Sequence, residues 1–218
     1  MEISKLQVNN PASQRLGSGY TDSGSMSTQP TRYLTPQQYL EIERAAEFRS
    51  EYFNGVMYNM SGGSWRHDRI TGDVFRLLGQ QLRGRECSVV SSSFRLQVSP
   101  DGIYTYPDIT VFCGPPKFAD RHTDMITDAT LIVEVLSTST ENYDRGFKFE
   151  QYRRLASLSE YLLISQDRVH IEHYARQADR SWLMRETSAR DAVIVLDSID
   201  CTLPVAEAYE RVNFEAEG

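Results

Sequence analysis

No stretch of this chain is apolar for anything near the roughly 20 residues that cross a bilayer as a helix, so no helical membrane span is expected. The N-terminus lacks the charged and apolar regions of a secretory signal, which leads to the expectation of a cytoplasmic protein. Cysteine is scarce: Cys87, Cys113 and Cys201 are widely separated, odd in number and not at metal-ligand spacing. They read as small buried hydrophobes in a reducing compartment. Positive charge is also short. Lysine and arginine total 23 against 30 acids, a formal net charge of −7, which argues against unaided long-range attraction to nucleic acid. A nucleic-acid site must then be a local patch, a metal-assisted site, or one borrowed from a partner. There is no helix-turn-helix, zinc finger or dense basic stripe. The two tryptophans, Trp65 and Trp182, form no stacking array beside such a stripe and read as core or rim aromatics.

What is present fits a globular domain. The chain has 218 residues, 40% hydrophobic and 24% charged, enough for one domain with a substantial core. Residues 1–30 are rich in Ser, Gly, Gln and Asn and are expected to form a flexible tail. No internal repeat follows, and residues 31–218 read as a single domain. Thr35-Pro36-Gln37-Gln38 is a helix start with its cap, first-turn proline and capping-box glutamine in place. Asn54-Gly55 predicts a tight hairpin within residues 51–58. A second helix begins near Trp65, with Ile70, Val74, Leu77 and Leu78 as its buried face and Gly84 near its end.

Strands are expected over 87–98, 103–113 and 130–137, with a loop from Pro115 to about Asp128. Ser137 to Thr140 offers caps for a helix running to about Ala156. Further strands are expected at 161–165, 169–174, 181–186 and 193–196, before a short helix from Pro204. This order implies an α/β (α+β) fold, a central mixed β-sheet flanked by helices.

Two acids stand inside runs suited to buried strands: Asp108 in Tyr106-Pro107-Asp108-Ile109-Thr110-Val111, and Glu134 in Leu131-Ile132-Val133-Glu134-Val135-Leu136. Burying a carboxylate is costly unless it is paired or bound to a metal. If the two strands are neighbours, about 5 Å apart, both carboxylates can face one cation. A hard ion such as Mg²⁺ (or Mn²⁺) takes oxygen ligands, so Asp108, Glu134 and the carbonyl of Val135 form a candidate set. Such an ion promotes phosphodiester hydrolysis. Lys148, on the following helix, would assist the nucleophile or stabilise charge, with Gln151 and Tyr152 on the same helical face as accessory groups. Arg145, Arg153 and Arg154 form a basic cluster near the motif, a candidate contact for DNA phosphates or a solvated helix face.

Pro107-Asp108, Glu134-Val135 and the lysine together resemble the PD-(D/E)XK nucleases of restriction-endonuclease-like fold. The wider set, Glu51-Tyr52-Phe53-Asn54-Gly55, Met60, His67, Pro107-Asp108, Glu134-Val135-Leu136-Ser137, Lys148 and Tyr152, resembles the Uma-two family of restriction endonucleases from about Tyr33 to Val212. The resemblance implies a Mg-dependent deoxyribonuclease acting on DNA, with Glu51 in or beside the metal shell and His67 as an accessory group. It departs from the general motif in one place. The lysine two residues after the glutamate is Leu136 here, and within the Uma-like pattern Lys148 takes its role. Two cuts on a duplex are simplest with two subunits, so a homodimer is expected. The competing reading is a catalytically inactive nuclease-like fold serving as a binding or assembly module. It predicts binding without metal dependence.

Overall fold

The Thr35 hydroxyl accepts from the amide of Gln38, and the Gln38 side chain accepts in return from the amide of Thr35. This capping box opens helix α1 (Pro36–Ala45). The computed structural model describes residues 33–60, 62–138 and 140–214, so the expected tail lies outside the described residues. Asn54 and Gly55 adopt φ of 45° and 98° and turn β1 (Ser50–Phe53) into β2 (Val56–Asn59) as an antiparallel hairpin. A side chain at Gly55 would also strike Tyr33, whose Cδ1 lies 2.6 Å from an ideal Cβ position. Ser64 caps α2 (Trp65–Gln81), which buries Ile70, Val74, Leu77 and Leu78 as its spacing predicts.

Beyond α2 the expected long strands divide. Residues 87–98 become β3 (Cys87–Ser91) and β4 (Arg95–Ser99), while 103–113 become β5 (Ile103–Thr105) and β6 (Ile109–Cys113). In each case the two halves belong to different sheets. The second division falls at Tyr106-Pro107-Asp108, where proline has no N–H to give a ladder. The expected loop after Pro115 contains a short strand, β7 (Met125–Ile126). The later strands are β8 (Leu131–Leu136), β9 (Glu160–Ser165), β10 (Ile171–Arg176), β11 (Trp182–Thr187), β12 (Val193–Leu196) and β13 (Cys201–Pro204). The last of these and a 3-10 turn, Asp197–Ile199, were not foreseen. The helix expected to reach Ala156 stops sooner. It comprises α3 (Glu141–Tyr143), a π-helical turn (Asp144–Lys148) and α4 (Phe149–Tyr152). Helix α5 (Val205–Ala208) follows Pro204.

The mixed six-stranded sheet runs β11-β10-β9-β8-β6-β3, with β8 and β9 parallel and the other pairs antiparallel. Every residue of β8 is buried, as a strand covered on both faces must be. Leu131, Val133 and Val135 join α2, α5, β12 and β13 in one core. Ile132 and Leu136 face the other way, toward Phe53, Leu96, Tyr152 and Leu155. On that second face lies a five-stranded sheet, β2-β1-β5-β4-β7. The chain thus crosses between sheets at Tyr106–Asp108, and the crossing delivers Asp108 to the middle strand.

One expectation is corrected by the ladder. Cys87 stands opposite Cys113 in the β3–β6 register and is bonded to it as a disulfide, so these two are not independent buried thiols. Their sequence separation gave no sign of it. The antiparallel pairing brings them together. Cys201 remains a buried free thiol.

Candidate active site

Asp108 immediately precedes β6, and the register Ile109↔Val133 sets it beside Glu134 on β8. The Asp108 amide donates to Glu134 Oε2 at 3.4 Å, and the Val135 amide donates to Asp108 Oδ2 at 2.7 Å. The N–H and C=O of a strand residue point to the same side, so the Val135 carbonyl also faces the gap that β6 vacates at Pro107. His67, from the first turn of α2, places Nε2 3.1 Å from Asp108 Oδ2. Burial pulls the His67 pKa down, but its bond to Asp108 and that carboxylate's charge carry it above the ordinary value.

Lys148 is buried, and its ammonium reaches three carboxylates: Glu51 Oε1 at 3.1 Å, Glu134 Oε1 at 3.2 Å and Asp144 Oδ1 at 3.5 Å. Desolvation opposes its charge, yet Glu134 and Glu51 hold its pKa well above that of a free lysine. Tyr152 adds its hydroxyl to Glu134 Oε1 at 2.8 Å. Glu51 also accepts from the Tyr106 amide at 3.4 Å. Behind it, the Tyr106 hydroxyl donates to buried Glu43 and accepts from Arg95, a network that anchors the crossing between the sheets.

Burial raises the pKa of Glu51 and Asp144 and pushes Glu134 up to about 8, with Lys148 acting against the shift. Three buried carboxyls around one ammonium cannot all ionise at ordinary cost. The cluster must retain a proton or take up a cation. Its donors are oxygens, which suit a hard divalent ion. No three His, Cys, Asp or Glu side chains among the described residues form a ready-made cation cage. A set of two carboxylates, Asp108 and Glu134, with the Val135 carbonyl fits this geometry. These groups line a cavity of about 560 Å³ together with Glu51, His67, Asp144 and Lys148. Gly63 and Ser64, at the start of α2, border the same cavity, where the helix dipole favours an anion.

The remaining sequence candidates divide. Gln151 is buried but does not line the cavity. Successive helical residues turn by about 100°, so only one of the neighbours Gln151 and Tyr152 can face Glu134. Arg145 does not face the cavity either; Glu172 at 2.7 Å and Glu141 at 2.6 Å hold its guanidinium. Arg153 and Arg154 line a separate groove. Asp144 was not singled out from the sequence, although its place four residues before Lys148 is the ordinary spacing of a helical ion pair.

Comparisons with known proteins find relatives in sequence and in fold. A family model named Uma2 and described as "Putative restriction endonuclease" matches residues 36–206. Two uncharacterized proteins of Synechocystis sp. are each 38% identical: sll1609 over 75% of this chain and 93% of its own length, and slr1290 over 85% and 96%. A crystal structure described as a putative nuclease belonging to DUF820, from Anabaena variabilis, superposes with a TM-score of 0.69 at 16% identity. It covers 83% of this chain and 99% of its own. That likeness establishes the nuclease-like fold.

Proposed function

The chain belongs to the Uma2 family of putative restriction endonucleases, and from that premise we propose that it is a divalent-metal-dependent endonuclease hydrolysing DNA phosphodiester bonds in the cavity around Asp108 and Glu134. The observation that carries the reading is the approach of the Lys148 ammonium to Glu134, at 3.2 Å. Leu136 leaves the general motif without an amine, and Lys148 brings one to the same carboxylate from the following helical segment.

Asp108, Glu134 and the Val135 carbonyl would hold Mg²⁺ or Mn²⁺, with Glu51 beside them. When bound, the ion supplies Lewis acidity toward the phosphodiester oxygens. Lys148 keeps a full positive charge beside the place where negative charge develops, and Glu51 and Asp144 fix its position. Tyr152 orients Glu134 through Oε1. His67 orients Asp108 and closes one side of the cavity. The N-terminus of α2 borders the space that a phosphate would enter. A homodimer remains part of the proposal, since two such sites would cut both strands of a duplex.

The test is cleavage of plasmid and linear DNA by the purified protein with Mg²⁺, with Mn²⁺ and with EDTA, beside Asp108→Ala and Glu134→Ala. Divalent-dependent cleavage that both variants lose is the expected result. Folded protein that cleaves no DNA substrate and shows no metal binding by calorimetric titration would sink the reading and leave the binding-module alternative.

A further inference from the structure

A second charged feature lies outside the cavity. Arg153 and Arg154 follow α4, while Arg176, Arg180 and Trp182 come from the β10–β11 hairpin, and these residues line a groove of about 550 Å³. We propose that this groove grips phosphates of a nucleic-acid strand that extends beyond the catalytic cavity. The choice of nucleic acid rests on the nuclease reading above; the anionic character of the ligand rests on the groove itself.

Arg176 is a fixed element of that groove. One of its terminal nitrogens donates to the carbonyls of Arg153 at 2.7 Å and Leu155 at 2.8 Å, and its guanidinium lies over the Trp182 ring, 4.8 Å from the centroid. Its buried Nε has no hydrogen-bond partner. Burial and the neighbouring charge of Arg180 hold its pKa below the ordinary arginine value.

Counter-charge is sparse. Arg154 lies 3.5 Å from Glu150, but Arg153, Arg176 and Arg180 have no carboxylate partner among the described residues. Asp179, next to Arg180 in sequence, keeps its charge but turns its carboxylate to the amide and hydroxyl of Ser181, at 2.9 and 2.6 Å. In a chain of net charge −7, four arginines gathered with few compensating acids form a local anion-attracting patch. Guanidinium groups suit phosphate because their donors can engage two oxygens at once.

The position agrees with an extended ligand. In the β9–β10 register Ala175 stands opposite Glu160, at the start of β9, whereas the cavity reaches Gln166, just past its end. Six strand residues put Gln166 about 20 Å from that end of the groove, while Glu134, opposite Leu163, lies about 10 Å from it. A single nucleotide in the cavity would miss the groove, and an oligonucleotide would reach both.

The experiment measures binding of a long fluorescent DNA duplex by anisotropy over a series of salt concentrations. It uses Asp108→Ala protein in EDTA, so that cleavage plays no part. In that background Arg153→Gln/Arg180→Gln is compared with Arg83→Gln/Arg211→Gln, which removes the same charge at exposed positions elsewhere. Arg176 is left intact because it fastens the end of α4. The expected result is weaker binding for the groove variant alone, with the slope of log affinity against log salt smaller by about 1.8, from about 0.9 per lost phosphate contact. An unchanged affinity and slope, or an equal loss in the control variant, overturns the groove. Groove-dependent binding by a protein whose wild type cleaves nothing would support this site and overturn only the catalytic reading.

Discussion

Glu134 and Glu160 lie on adjacent parallel strands, β8 and β9, each 3% exposed, yet their surroundings are opposites. Glu160 is fully employed. Its Oε1 meets His173 Nε2 at 2.8 Å, and its Oε2 accepts from both the amide and the hydroxyl of Ser198. This ties the turn after β12 to the main sheet, and Glu160 lines neither the cavity nor the groove. Glu134 shares one lysine with two other carboxyls, lies next to a fourth acid, Asp108, and borders a cavity. A buried acid whose oxygens are matched by donors is part of the framework. One crowded by like charges and open to a cavity has the character of a ligand.

The largest expected effects follow from exchanging the treatments of these two acids. Glu134→Ala and Asp108→Ala should each lower DNA cleavage by at least about 10³-fold, the kinetic equivalent of the several kcal/mol that metal-assisted charge stabilisation supplies. Glu160→Ala should leave cleavage per folded molecule within about twofold. It should cost about 2–4 kcal/mol of stability, because His173 and the Ser198 amide lose their buried partner. Initial-rate assays and chemical denaturation of the same preparations check both halves. If Glu160→Ala abolishes turnover in folded protein, or Glu134→Ala spares it, the distinction breaks.

Lys148→Met comes next. It removes the cation that Glu51, Glu134 and Asp144 share and should reduce the cleavage rate by about 10²–10³-fold, in the range of losing one electrostatic donor from a reacting centre. Metal titration sharpens the result. A lysine serving catalysis can be lost while divalent binding persists or strengthens, since the acids no longer share their charge with an ammonium.

Much of this arrangement was legible in the residues. The capping box at Thr35, the Asn54-Gly55 turn and the stripe on α2 are local signals, and each forms as its chemistry predicts. Asp108 and Glu134 stood out because a carboxylate in an apolar strand needs a reason. What escaped depends on pairing at a distance. The apparently continuous strands over 87–98 and 103–113 divide between two sheets, and alternation alone carries no sheet identity. The Cys87–Cys113 bond follows from a register that spacing does not encode. Arg145, Arg153 and Arg154 are close in sequence. Yet α4 ends at Tyr152, and the carboxylates of Glu141 and Glu172 hold Arg145 apart from the other two.

A smaller difference between the two glutamates should appear as pH dependence. Glu134 is pushed up to about 8 by burial, so the folded protein holds its proton more tightly than the unfolded chain does. That contribution to stability is complete below the ordinary carboxyl range and is lost as pH rises toward 8. In EDTA, the wild-type melting temperature should therefore fall from pH 5 to pH 8 more steeply than that of Glu134→Gln, which cannot ionise. Mg²⁺ or Mn²⁺ at pH 8 should restore the wild type and leave the glutamine variant unmoved, because ligand binding stabilises only a fold that binds it. Parallel wild-type and variant curves would remove Glu134 from the account.

The finest separation concerns Tyr152, whose hydroxyl lies 2.8 Å from Glu134 Oε1 and 3.2 Å from Thr105 Oγ1. Its ring packs in the core, so a purely structural role predicts that Tyr152→Phe leaves metal affinity and turnover intact. If the hydroxyl orients the carboxylate, its loss should cost about 1 kcal/mol in the reacting complex, a reduction of about fivefold in kcat. The ring remains, so the stability cost should stay near about 1 kcal/mol, from the bond that the buried Thr105 hydroxyl loses. Single-turnover cleavage at saturating metal isolates the effect: a fall there with the fold and DNA affinity unchanged assigns Tyr152 to positioning Glu134. A loss of stability with turnover at saturating metal intact would return it to the core.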